Sequence, residues 1–132
     1  MKISAGLVIL YQNKILLVHP TNAAWYGTFS VPKGEIEEDE DILEAAIRET
    51  KEEIGIEFSK DEIGCVLDHV NYVRKGKTYK RVYYFIVNLD YPIDDSLFTL
   101  QKEEVDWVGF LDKEEAERRI SPRLKELLNH LN

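Results

Sequence analysis

Apolar residues come in short unbroken runs near the start of the chain and in a helical rhythm towards its middle. Residues 3–10 (ISAGLVIL) and 14–19 (KILLVH) are two such runs, parted by the turn formers Tyr11, Gln12 and Asn13. Runs of this length with such a break predict a β-hairpin whose second strand is well buried. Residues 30–34 (SVPKG) read as a short strand, Pro32 setting an extended approach and Gly34 allowing a tight turn. The period then changes. On a helix at about 100° per residue, Leu43, Ala46, Ile47, Thr50 and Ile54 fall within roughly 100° of one another, an apolar stripe for a core. Asp39 is placed to cap that helix, Glu40 and Asp41 suit its positive end, and Gly55 suits a left-handed stop.

Beyond it, the stretch 63–89 predicts two strands about Lys75-Gly76-Lys77, with 82–87 (VYYFIV) as a core strand. Residues 90–104 read as a loop and Trp107 to Phe110 as a last strand. Asp112 and Glu115 have capping-box spacing for a short helix through Arg119. Ser121-Pro122 opens a second helix, whose Leu124, Leu127, Leu128 and Leu131 form an apolar stripe. This order describes an α+β or α/β domain with a mixed sheet between helices. Residues 1–132 are expected to form one domain, long enough to close a core without disulfides or structural metal.

Composition narrows the setting. A single cysteine, Cys65, forms no intramolecular disulfide, which suits a reducing, cytoplasmic location. The opening MKISAGLVILYQNK reads as a strand, not a signal peptide, and no apolar stretch is long enough to span a bilayer, so no membrane partner is expected. The net charge of −8 comes from 25 acidic and 17 basic residues, and thirteen of the acids lie between Glu35 and Glu62. That balance argues against non-specific nucleic-acid binding, which needs a basic footprint. A polyphosphate could still bind an acidic site bridged by cations.

The acidic face of the central helix carries the chemistry. Glu49 and Glu53 are one turn apart with Glu52 between them, so their carboxylates can converge on one point. Like charges at that spacing repel, and a hard divalent cation turns the repulsion into binding. A glutamate run on a helix is more often plain solvated surface, and the spacing of the whole stretch is what tells against that. From Gly34 to Ile56 it fits G-x5-E-x7-R-E-U-x-E-E-x-G-U at Gly34, Glu40, Arg48, Glu49, Thr50, Glu52, Glu53, Gly55 and Ile56. Thr50 stands where the pattern usually has a larger aliphatic residue. The stretch resembles the Nudix box of the Nudix hydrolases.

The resemblance implies an α/β/α sandwich and a metal-dependent hydrolase of phosphoanhydrides in small molecules. Glu49, Glu52 and Glu53, with the Gly34 carbonyl, would then hold Mg²⁺ or Mn²⁺, and Arg48 would hold a metal-site carboxylate in place. Glu44 offers Arg48 the alternative of an i,i+4 surface pair. In relatives the general base is a box glutamate or an acid from a later loop, and Glu103 and Glu104 occupy such a loop. Our order for the base is Glu52, Glu104, then Glu49, with Glu104 also a candidate ligand.

For substrate, the segment leading into the motif looks like the branch acting on dinucleoside polyphosphates or diphosphoinositol polyphosphates. Trp25, in the turn-rich loop 21–29, is a candidate for stacking on a nucleobase, and Lys33 adds a cation beside the motif. Lys75, Lys77, Lys80 and Arg81 belong to the chain's one basic cluster, either a phosphate clamp or a solvated hairpin tip. His19 ends its strand as a possible base or, more plainly, a hydrogen-bonded bystander. A dinucleoside polyphosphate is the first expectation, with diphosphoinositol polyphosphates, nucleoside triphosphates and nucleotide sugars as alternatives. A catalytically silent nucleotide-binding module is the rival of another class. Monomer and homodimer both remain open.

Overall fold

The computed structural model describes residues 1–66 and 69–132, without the side chains of residues 65 and 66; the Cys65 side chain and residues 67 and 68 of the strand run expected from residue 63 therefore lie outside what is described. Strands β1 (Lys2–Tyr11) and β2 (Lys14–Pro20) form the expected hairpin. Its turn uses Gln12 and Asn13 at φ 46° and 60°, the double left-handed geometry that matches the twist of paired strands. Strand β3 (Lys33–Glu35) is shorter than the expected strand of residues 30–34, and Ser30 makes only an isolated bridge to Val18. Helix α1 (Ile42–Ile54), strands β4 (Ile63–Val66), β5 (Val70–Arg74), β6 (Lys77–Leu89) and β7 (Val105–Leu111), and helix α2 (Lys113–Arg119) follow.

Among the described residues the seven strands form one mixed sheet. Its order is β4-β6-β1-β2-β7, with β3 paired to β1 and β5 to β6. The long β1–β6 pair is parallel and the others are antiparallel. Side chains alternate across a strand, so each face has its own core. Ala5, Leu7, Ile9, Leu16 and Val18 pack against Ala45, Ala46 and Ile54 of α1. Val8, Ile15, Leu17, Val82 and Tyr84 pack against Ala116, Ile120, Leu124 and Leu128 on the other face. A mixed sheet between helical layers is the α+β sandwich expected.

Two local expectations are corrected. The cap of α1 is Asp41, not Asp39: Asp41 is extended and its carboxylate accepts from Glu44 N–H at 2.7 Å, whereas Asp39 sits in a left-handed turn at φ 64°. The C-terminal segment Pro122–His130 is a 3₁₀ helix rather than an α-helix, and Ser121 caps nothing with its side chain. Three residues per turn aligns positions three apart, which suits the pairs Leu124/Leu127 and Leu128/Leu131. Among the described residues no helix is long and apolar enough to cross a membrane.

Candidate active site

Helix α1 stops where Gly55 takes the left-handed conformation, φ 81°, and its N–H bonds Lys51 O. The last carbonyls of the helix do not end in water. Thr99 N–H donates to Ile54 O and Gln101 N–H to Glu53 O, both at 2.9 Å, so the 98–101 segment is stitched onto the helix end. The main chain of Glu53 is thereby fixed to this segment, while its side chain turns the other way, to the Lys33 amide of β3. Glu53 is 7% exposed, although the helical period groups it with Glu49 and Glu52 on the acidic face.

Arg48 organises the carboxylates of the helix. Its Nε and Nη2 donate to the two oxygens of Glu40 at 2.7 and 3.0 Å, a fork-to-carboxylate pair. Its Nη1 donates to Glu49 at 2.9 Å and to Glu52 at 3.1 Å, and Nη2 also reaches Glu35 O at 2.9 Å. The expected alternative, a pair with Glu44, is absent among the described residues; Glu44 sits 3.7 Å from Lys60 instead. Glu40 is held below the usual carboxylate range by Arg48. Glu49 is pushed up by burial, against the pull of Arg48.

Gly34 explains the fit of strand to helix. A Cβ there would land on the carboxylate of Glu49, so only glycine lets β3 lie this close to α1. The amide of Lys33 donates to Glu53 Oε2 at 3.2 Å. Burial pushes Glu53 up to about 8, and the charges of Glu49 and Glu104 add to the effect while Lys33 opposes it. The Lys33 ammonium is held below its ordinary value by burial and then by Lys80.

Glu53, Glu104 and Lys33 open into one cleft of about 150 Å³, with Val18, Pro20, Ser30, Val31 and Val105 completing its wall. The three box glutamates do not meet at one point: Glu49 and Glu52 turn to Arg48, and Glu53 turns to the cleft. Among the described residues no three acidic, histidine or cysteine side chains form a ready-made cage.

The substrate candidates divide. Trp25 is 47% exposed and lies flat on His19, ring centroids 3.7 Å apart, on the sheet face away from α1. With Phe29, Trp107, Leu111, Glu115 and Arg119 it lines a second cavity of about 180 Å³. The basic cluster is split by strand alternation. Lys80 lies 5.3 Å over the ring of Tyr72, where Arg123 also rests at 4.6 Å. Arg81 points to the opposite face and is held by Asn71 and Tyr83. Lys75 and Lys77 are exposed at the hairpin turn.

His19 takes the bystander role in full. Its Nδ1 is 2.5 Å from Asp106, and its Nε2 faces the carbonyls of Ala23 and Ala24 at 3.0 Å each. Those acceptors keep its pKa raised although burial, the largest single influence, lowers it. Sequence reasoning saw no partner for this histidine. Asp106 reaches it because the β2–β7 register shifts between His19 and Pro20.

The NUDIX domain family model matches residues 1–131, and the chain belongs to the Nudix family of phosphoanhydride hydrolases. Among solved structures it is similar to the C. elegans Ap4A hydrolase in a binary complex, with 28% identity over 98% of this chain and 93% of that one, TM-score 0.75. A MutT Nudix hydrolase from Burkholderia pseudomallei shares the fold at 16% identity, over 99% and 98% of the two chains, TM-score 0.78. The E. coli dihydroneopterin triphosphate pyrophosphohydrolase does so at 19%, over 97% and 92%, TM-score 0.72.

Proposed function

We propose that this chain hydrolyses a phosphoanhydride in a nucleotide with an extended phosphate chain, a dinucleoside polyphosphate first among them, with Mg²⁺ or Mn²⁺. The observation that carries the reading is Glu53, a nearly buried carboxylate that faces Glu104 and Lys33 across one cleft and has Glu49 behind it. Such a group is costly to bury unless a cation meets it. Hard oxygen donors suit Mg²⁺ or Mn²⁺, and Glu53, Glu49, Glu52, Glu104 and the Gly34 carbonyl are the donors at hand. A bound divalent ion supplies charge neutralisation on the diphosphate and a more acidic water.

The chain's own residues do the rest. Lys33 lines the cleft and would meet phosphate oxygens there. Arg48 keeps Glu49 and Glu52 from repelling one another. Glu104 is the better proton acceptor of the candidates, because it lines the cleft while Glu52 is engaged by Arg48. For the base, Trp25 offers an exposed indole beside a cavity of about 180 Å³ lined by Phe29 and Trp107. The similarity to a protein named as an Ap4A hydrolase supports a dinucleoside polyphosphate.

One observation favours diphosphoinositol polyphosphates instead. Lys80 and Arg123 both rest on Tyr72, neither forms a salt bridge among the described residues, and the charge of Lys80 reaches Lys33. That row of cations would suit a ligand dense in phosphate. Hydrolysis of a panel of dinucleoside polyphosphates, nucleoside triphosphates, nucleotide sugars and a diphosphoinositol polyphosphate, with Mg²⁺ and with Mn²⁺ and products read by mass spectrometry, tests the proposal. Turnover highest on diadenosine tetraphosphate is the expected result. Nucleotide binding without turnover of any member would make the chain a silent module.

A further inference from the structure

The residue read as proton acceptor sits in an unpromising place. Lys102, Glu103 and Glu104 form an exposed turn between the 98–101 segment and β7. A reacting group has to be held closely, since a displacement of about 1 Å costs up to about 10²-fold in rate. Towards α1 the base of the turn is anchored: Gln101 N–H donates to Glu53 O, and Glu104 N–H and Val105 N–H both donate to Gln101 O, all at 2.9 Å. Those bonds leave the carbonyls of the turn itself unheld.

Thr21 supplies the missing restraint. Its N–H donates to Glu104 O at 3.0 Å and its Oγ1 donates to Lys102 O at 2.7 Å. Among the described residues these are the hydrogen bonds that reach the carbonyls of the 102–104 turn from outside it. The two acceptors flank Glu103, so one residue fixes both shoulders of the turn. Threonine suits the task, because its branched Cβ stiffens χ1 and so aims the hydroxyl.

The mount is itself rigid. Thr21 follows directly on β2, two residues past His19, whose ring is fixed at both nitrogens by Asp106, Ala23 and Ala24. Pro20 lies between them and lines the cleft.

We propose that Thr21 is a positioning residue for the hydrolysis: by holding Lys102 O and Glu104 O it directs the Glu104 carboxylate into the cleft with Glu53 and Lys33. This rests on the reading of Glu104 as proton acceptor given above. Thr21→Val keeps the shape and the backbone bond and removes the hydroxyl donor, and Thr21→Ser restores it.

The test is steady-state kinetics on diadenosine tetraphosphate with Mg²⁺, in the wild type and in a Glu104→Gln background. The expected result for Thr21→Val is a kcat lowered about tenfold with KM little changed, the size of one lost hydrogen bond or somewhat more. Thr21→Ser should return most of the loss. In the Glu104→Gln background Thr21→Val should cost almost nothing further, because the group it aims is gone. Thr21→Ala is made alongside, so that a folding failure of one variant leaves the other to decide. Equal losses in both backgrounds, or wild-type kcat in Thr21→Val, would overturn the proposal while leaving the hydrolase reading intact. A wild-type protein inert on the whole substrate panel would overturn both.

Discussion

Glu40 and Arg48 form the tightest ion pair of the site, two hydrogen bonds at 2.7 and 3.0 Å between helix α1 and the turn before it. Neither residue lines the cleft, yet the pair orients carboxylates beside it. With one edge of the guanidinium fixed on Glu40, the remaining Nη1 is aimed at Glu49 and Glu52.

Glu40→Gln should therefore weaken the site without touching substrate. Loss of a group that orients metal-site carboxylates costs about 10- to 100-fold in metal affinity or activity. Titration of Mg²⁺ against activity is the check, and an unchanged half-saturating concentration would leave Glu40 a purely structural partner.

Gly34→Ala places a methyl where the Glu49 carboxylate lies. Activity should fall on the order of 10²-fold, as for other small displacements of reacting groups, while circular dichroism shows the fold retained. Wild-type turnover would mean that Glu49 has room to move without consequence.

Stability without metal should fall with rising pH through the range that Glu53 governs. The folded carboxyl titrates near 8 against a reference of 4.5, so between those values the folded chain holds a proton that the unfolded chain has released. This contribution is fully present below about 4.5 and lost as pH rises through about 8. Thermal melts in chelator from pH 5 to 9 should show a shallower decline for Glu53→Gln than for the wild type.

Excess chelator should abolish turnover, and Mg²⁺ or Mn²⁺ should restore it and raise the melting temperature by mass action. Full activity in chelator would remove divalent ions from the reaction.

Trp25→Ala should raise KM for a nucleotide substrate about tenfold, since stacking is worth roughly 1–3 kcal/mol per base. For a diphosphoinositol polyphosphate, Lys80→Ala should matter more than Trp25→Ala. An unchanged nucleotide KM in Trp25→Ala would confine the indole to its contact with His19.

What the sequence disclosed about the site was chiefly the part carried by one continuous stretch. The spacing from Gly34 to Ile56 marked the glutamates, Arg48 and the closing glycine, because those relations are local and periodic. The strands were equally plain, since unbroken apolar runs and turn pairs such as Gln12-Asn13 are local signals. The burial of Glu53 is not legible from the helical period, because the residues around its carboxylate, Val18, Val31, Lys33 and Val105 among them, come from segments distant in the sequence. The same holds for His19 with Asp106 and for Thr21 with Glu104, partners more than 80 residues apart. Lys80 and Arg81 read as one patch along the chain, and the pleat of β6 sends them to opposite faces.

The pairing of β1 with β6 runs from Lys2 with Lys80 to Tyr11 with Leu89, a constant separation of 78 residues. The middle strand of the sheet therefore has no neighbour on one side until about two-thirds of the chain has left the ribosome. Until then its buried-to-be side chains Leu7, Val8 and Ile9 are open to water on a bare edge. Closing so long a loop before the β1–β6 contacts reward it is expected to slow folding relative to domains built from local contacts. Until β6 is present that side of β1 is an unpaired edge, the kind of surface through which copies of a chain associate.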